Sequence, residues 1–239
     1  MSRTRLVDAV LHPVRGHMAF ESCVEQLGSA IQLGIFEPGT LLPPERVLGE
    51  KLGVSRATVR EAISALRAAG FVSTTRGRGG GTLVEGVRPT RLPDQVDIAD
   101  RLNEITDIVL FRRVIEPGAC YLAASLPLSA EAKSLLSDCV KDLAEATDPA
   151  EYRQADARFH LSIASVCGSP ELTKASSMIQ TRIHQYLEEI PFLQKNITNS
   201  ERQHQQVAKS ILEGKADTAR SVMEDHCDAT AALLKGLLK

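Results

Sequence analysis

Four residues in the C-terminal two thirds of the chain have the types and spacing to hold a divalent metal. Asp156 and His160 lie four apart, hence on one face of a helix, flanked by Phe159 and Ile163. His204 shares a helical face with Val207, Ala208 and Ile211, and His226 shares one with Val222, Met223 and Leu233. One carboxylate and three imidazoles on apolar faces of three helices give an N₃O ligand set with open positions, provided they meet inside a bundle. A lone inward histidine is usually a core residue bonded to a neighbour. Four such groups buried without an ion would need four separate partners. His12, His17 and His184 have no comparable setting.

Arg112 is the second anomaly. It falls on the apolar stripe Ile105, Ile108, Val109, Ile115 and Ala119, where a charge is costly unless paired. Glu116, one turn on, is the obvious local partner. The other reading is a guanidinium facing a cavity, able to clamp a carboxylate or phosphate with two parallel hydrogen bonds.

A third constellation lies near the N-terminus. Ser55 is a natural N-cap for a helix over 56–69. Val59, Ala62, Ile63 and Leu66 form its buried stripe, with Arg56 and Arg60 one turn apart on the flank. An arginine in the first turns of such a helix can read guanine O6 and N7, and Ser55 and Thr58 can reach phosphate or bases. The loop Arg76-Gly77-Arg78-Gly79-Gly80-Gly81 combines close backbone approach with phosphate-neutralising charge. It lacks the Lys-Ser/Thr ending of a P-loop.

The elements that must position these groups follow from periodicity and punctuation. Helical patterning covers 20–34, 44–52 and 56–69, with a break at Gly53-Val54-Ser55. Two β-prone runs, FVSTT and TLVEG, bracket the glycine loop. Helix, helix, tight turn, helix and hairpin is the order of a winged helix-turn-helix. GVRPTRLPDQ then reads as a linker. Beyond it six long helices are expected at 98–126, 129–146, 149–166, 170–189, 198–213 and 215–237, an all-α bundle. Pro117 removes a hydrogen bond inside the first of them. The fold class is therefore mainly α, with a winged helix-turn-helix domain over 1–85, a linker over 86–97 and an all-α domain carrying the candidate metal ligands over 98–239.

Composition agrees. The 239 residues carry a net charge of −2, but residues 1–91 hold 12 Lys/Arg against 8 Asp/Glu and the remainder 16 against 22. A basic module is thus joined to an acidic one, which points to different partners. Absence of Trp argues against a single-strand stacking platform. No apolar run is long enough to span a membrane, and the N-terminus lacks a signal peptide's apolar core, so a cytoplasmic location is expected. The five cysteines form no CxxC pair and read as reduced thiols.

The run LGIFEPGTLLPPERVLGEKLGVSRATVREAISALRAAGFV, from Leu33 to Val72 and on to Gly81-Thr82, resembles the DNA-binding signature of GntR-family bacterial transcription regulators. That resemblance implies operator contacts at Arg46, Ser55, Arg56, Thr58 and Arg60, and at Arg76 and Gly77 of the wing. Residues FRRVIEPGACYLAA, DARFH, HQQVAKSILEGKADTAR and MEDH resemble the effector domain called FCD in the FadR subfamily. They imply metal ligation by Asp156, His160, His204 and His226, zinc being the commonest ion and nickel another. They also imply an effector contact at Arg112. Cys167-Gly168-Ser169-Pro170 departs from the subfamily's usual Gly-Asn corner.

The leading reading is a ligand-controlled repressor. It acts as a homodimer on a palindromic stretch of double-stranded DNA and senses a small carboxylate. Its rivals are a metal-dependent hydrolase, although no inward Glu stands out as general base, a sensor of the metal ion itself, and a purely structural ion.

Overall fold

A computed structural model describes residues 6, 7, 10, 11, 13, 19–75, 80–85 and 98–237. Arg76 and Gly77 of the wing and the 86–97 linker lie outside the described residues. The chain divides into two compact units near residue 90.

In the first unit, helix α1 (Ala19–Gln32) buries Cys23, Leu27, Ala30 and Ile31 at helical spacing. Helix α2 (Glu45–Leu52) starts directly after Pro43-Pro44, where a fixed φ favours helix entry, and buries Leu48 and Leu52. It stops at Gly53, whose φ of 66° is left-handed. A Cβ there would also lie 3.2 Å from Cβ of Pro13, so the turn requires glycine on two counts. Helix α3 (Arg56–Ala68) follows, with Ser55 Oγ accepting from the Thr58 amide as N-cap. Its buried face, Val59, Ala62, Ile63 and Leu66, packs on α1 and α2. Strands β1 (Val72–Thr75) and β2 (Gly81–Val84) pair antiparallel in the register Val72↔Val84 and Thr75↔Gly81.

The second unit is helical throughout its described residues: α4 (Ile98–Ser125), α5 (Ala130–Glu145), α6 (Pro149–Val166), α7 (Pro170–Glu188), α8 (Gln194–Leu212) and α9 (Ala216–Leu237). Asp148 caps α6 by accepting from the amides of Ala150 and Glu151, and Ser169 caps α7 by accepting from that of Leu172. Gly168, at φ 72°, ends the preceding helix, so the Cys167–Pro170 corner forms despite its unusual composition. Helix α4 packs on α6, α7, α8 and α9. Ile105, Ile108 and Val109 from it meet Ile179, Ile183 and Tyr186 of α7 and Leu234 of α9. Each side chain buried there contributes about 1.5–3 kcal/mol.

Helix α6 is central, and every residue from Ala155 to Ala164 is buried. Asp156 and His160 therefore have no solvent-facing alternative. Helix α4 runs through Pro117 without a break. One of its faces, Leu110, Val114 and Tyr121, stays 63%, 66% and 43% exposed. Helix α8 begins at Gln194, earlier than the expected 198, and the Thr198 hydroxyl donates back to the Gln194 carbonyl from inside the helix.

Candidate metal centre and nucleic-acid interface

Asp156, His160, His204 and His226 come together, all buried, with one donor atom from each within 4.8 Å of the others. His204 Nε2 lies 3.4 Å from His226 Nε2 and 3.4 Å from Asp156 Oδ1, and His160 Nε2 lies 4.0 Å from Asp156 Oδ2. Ligands at about 2.0–2.2 Å from a shared ion are themselves roughly 3–3.5 Å apart, so this donor set fits a divalent metal.

Hydrogen bonding sets the tautomers of two of the three imidazoles. Arg112 Nη2 lies 3.2 Å from His160 Nε2 and 3.0 Å from His226 Nε2. A guanidinium only donates, so both Nε2 atoms are acceptors and both rings carry their proton on Nδ1. His160 Nδ1 then faces Glu116 Oε2 at 3.0 Å, its N–H dipole toward the carboxylate but out of line for a full hydrogen bond. His226 Nδ1 faces Gln203 Oε1 at 3.3 Å and Ser200 Oγ at 3.4 Å. Burial pushes His204 down to about 3, the repulsion of His160 and Arg112 outweighing part of what Asp156 restores. Burial first, and then His204 and Arg112, hold His226 far below the usual imidazole range. Both rings are neutral at physiological pH, the state a metal ligand requires.

Arg112 is 1% exposed and makes the ion pair with Glu116 as well, its Nε donating to Oε2 at 2.9 Å. Burial opposes the charge on Glu116, but Arg112 and His160 overcome it and hold the carboxyl well below its ordinary range. Gln180 donates to the other carboxylate oxygen. Glu116 is thus an inward carboxylate beside the candidate ligands, but Arg112, His160 and Gln180 all hold it and it is no free base. Nη1 of Arg112 is buried without a hydrogen bond among the described residues. Arg112, Asp156 and His226 line one open-mouthed cleft of about 520 Å³, solvent at its mouth included. Tyr152, one turn before Asp156, lines the same cavity with a buried hydroxyl that lacks a well-formed hydrogen bond. Apolar Ile190, Phe192 and Leu233 complete much of the wall.

On the first unit, Arg46, Ser55, Arg56 and Arg60 are exposed and Thr58 is half-buried. Ser55 Oγ, which caps α3 by accepting from the Thr58 amide, also lies 2.9 Å from Thr58 Oγ1, so the two hydroxyls bond each other. Arg46 pairs with Glu50 along α2, and Arg60 with Glu45 across the two helices. Arg56 makes no ion pair among the described residues.

Residues 21–84 match the model of the bacterial regulatory proteins of the gntR family, and residues 107–229 match that of the FCD domain. The chain is 31% identical over 215 residues to a putative HTH-type transcriptional regulator, RmpR, of Mycobacterium gastri, spanning 86% of this chain and 76% of that one. This protein belongs to the GntR family and carries an FCD domain. As a GntR regulator it is a DNA-binding transcription factor, not an enzyme. A second GntR relative, 31% identical over 214 residues, is the putative L-lactate dehydrogenase operon regulatory protein of Escherichia coli, with 83% of this chain and 80% of that one aligned. The fold is shared with E. coli McbR/YncC at 20% identity and a TM-score of 0.53, covering 92% of this chain and 98% of that one.

Within this GntR chain the FCD unit brings together Arg112 and all four candidate ligands. Three members of the site escaped the sequence reading in part or whole. Glu116 was seen as the partner of Arg112 but not of His160. Gln180 and Tyr152 look like ordinary helix residues, and only their inward position on apolar faces could have signalled them.

Proposed function

We propose that this GntR regulator is a repressor of the FadR subfamily that binds a palindromic operator as a homodimer and responds to a small organic acid. The observation that carries the reading is the meeting of Asp156, His160, His204 and His226 beside Arg112, with Asp156, His226 and Arg112 lining one cavity. Asp156, His160, His204 and His226 would hold a divalent ion, zinc by its preference for imidazole with carboxylate. The ion supplies a Lewis-acidic docking point for a carboxylate. Arg112 offers Nη1 to the same group, Tyr152 offers a hydroxyl to a second oxygen, and the apolar wall accommodates a short carbon chain. Arg46, Ser55, Arg56, Thr58 and Arg60, with Arg76 and Gly77 of the wing, would face the operator.

Homodimer formation is supported by the exposed Leu110, Val114 and Tyr121 face of α4, an apolar surface that a second copy would cover. The relative named for an L-lactate dehydrogenase operon makes L-lactate and other 2-hydroxy acids the first probes. An acid that binds the arrangement unable to hold DNA releases the operator, and the operator must weaken acid binding by the same factor. The decisive experiment is a thermal-shift screen of small acids on zinc-loaded protein and on the His204→Ala variant. A hit should raise the melting temperature only where zinc is retained and should lower operator affinity. An acid-independent operator affinity that tracks free zinc would instead identify a metal sensor.

A further inference from the structure

Arg60 on α3 is held by a residue 15 positions earlier in the chain. Its Nε donates to Glu45 Oε1 at 3.1 Å and its Nη2 to Glu45 Oε2 at 2.7 Å. This is a side-on bidentate pair, which fixes the plane of the guanidinium as well as its position. Arg46 and Glu50, by contrast, pair within a single helix, as exposed charges four apart commonly do.

Both ends of the Glu45–Arg60 pair are rigidly mounted. Glu45 is the first residue of α2, directly after Pro43-Pro44, and its negative charge suits the N-terminal end of a helix. Leu48 and Leu52 anchor α2, while Val59, Ala62 and Ile63 anchor α3. The two helix surfaces cannot slide without disturbing that core. Each side chain supports the charge of the other. The hydrogen bond from Arg60 is the first cause holding Glu45 below its ordinary range, with the charge of Arg56 adding to it.

A guanidinium carries five N–H donors, and Glu45 takes two of them. The three that remain are the two on Nη1 and the outer one on Nη2. One of those on Nη1 and the outer one on Nη2 form the end-on fork whose shape matches O6 and N7 of guanine in the major groove. A carboxylate placed on a surface that meets phosphate weakens binding to any DNA. Its compensating use is specificity: a pre-set arginine plane loses less freedom on meeting the right base and cannot adapt to the wrong one.

We infer that Glu45 is a positioning residue for operator reading, clamping Arg60 from the side so that its end-on fork reads one guanine in each half-site. The inference rests on Arg60 being an operator contact, and the test separates the two.

Full-length protein is used to select duplexes from a randomised library, and the selected duplex is then varied one base pair at a time. Binding of wild type, Glu45→Gln, Arg60→Ala and the double variant is measured by fluorescence anisotropy alongside melting temperature. An exposed ion pair adds little to stability, so Glu45→Gln should melt with wild type. Its discrimination at the base pair read by Arg60 should fall by about fivefold or more, within the roughly 5- to 150-fold that a whole bidentate arginine–guanine contact provides. Its affinity for unrelated duplex should hold or rise. The double variant should discriminate no worse at that pair than Arg60→Ala alone.

Unchanged discrimination in Glu45→Gln, while Arg60→Ala loses it, overturns the clamp. An Arg60→Ala variant that weakens all duplexes equally makes Arg60 a phosphate contact and overturns both the clamp and its premise. A further loss from Glu45→Gln on the Arg60→Ala background shows that Glu45 acts by another route. If Glu45→Gln melts early, Glu45→Ala and Glu45→Asp are scored by the same ratio. Loss of discrimination in Glu45→Ala with recovery in Glu45→Asp supports the clamp, and no difference between those two overturns it.

Discussion

Arg112 Nη2 lies 3.0 Å from His226 Nε2, at an imidazole lone pair that a metal ion would also require. His160 Nε2 stands in the same relation at 3.2 Å. Each Nε2 has one lone pair, so it serves the guanidinium or an ion but not both. Arg112 is therefore a competitor for two of the four donors as well as a candidate contact for an acid.

Replacing Arg112 with Met should have two opposed effects. Glu116 would be left as an unpaired buried carboxylate, and without metal the helical unit should lose about 3–5 kcal/mol in chemical denaturation. The folded protein should bind zinc roughly tenfold more tightly in a chelator competition, because a charged hydrogen bond no longer holds the lone pairs. Equal or weaker zinc affinity would show that Arg112 does not compete for the ligands.

Glu116→Gln should shift zinc affinity the other way. The carboxylate faces His160 Nδ1 at 3.0 Å and also neutralises Arg112. Removal of such an outer partner typically costs about 10- to 100-fold in metal affinity. A titration indistinguishable from wild type would reduce Glu116 to a partner of Arg112 alone.

Gly53→Ala tests the turn between α2 and α3. The alanine must adopt a φ of 66° and place its Cβ 3.2 Å from that of Pro13. The expected cost is about 1 kcal/mol or more, read as a lower melting temperature of the N-terminal unit, with weaker operator binding and unaltered zinc content. Full stability would mean that the turn relaxes without consequence for α3.

Val114→Glu places a charge in the exposed apolar face of α4, where Val114 is 66% exposed. A monomer fold should tolerate it within about 0.5 kcal/mol. Sedimentation should nevertheless show dissociation if this face joins two copies, and an unchanged oligomer would exclude it.

Much of the architecture is local in origin and therefore legible. Ser55, Asp148-Pro149 and Ser169-Pro170 begin helices because a side-chain oxygen meets free amides or a ring pre-sets φ, and such signals act within a few residues. The start of α8 leaves no such local mark, because Leu193 precedes it without a side-chain cap.

The amino-acid sequence alone determined which helix faces carry Asp156, His160, His204, His226 and Arg112, since a period of 3.6 residues sorts side chains before anything packs. It also determined which helix carries Arg56 and Arg60. Tertiary structure decided who meets whom. Glu45 reaches Arg60 across two helices, Glu116 faces His160 as well as its own helix neighbour Arg112, and Gln180 closes the far side of that carboxylate. Those contacts depend on helix-to-helix distance and rotation, fixed by the fit of Ile105, Ile108, Ile183 and their neighbours in the core. Periodicity along one helix carries no record of that fit.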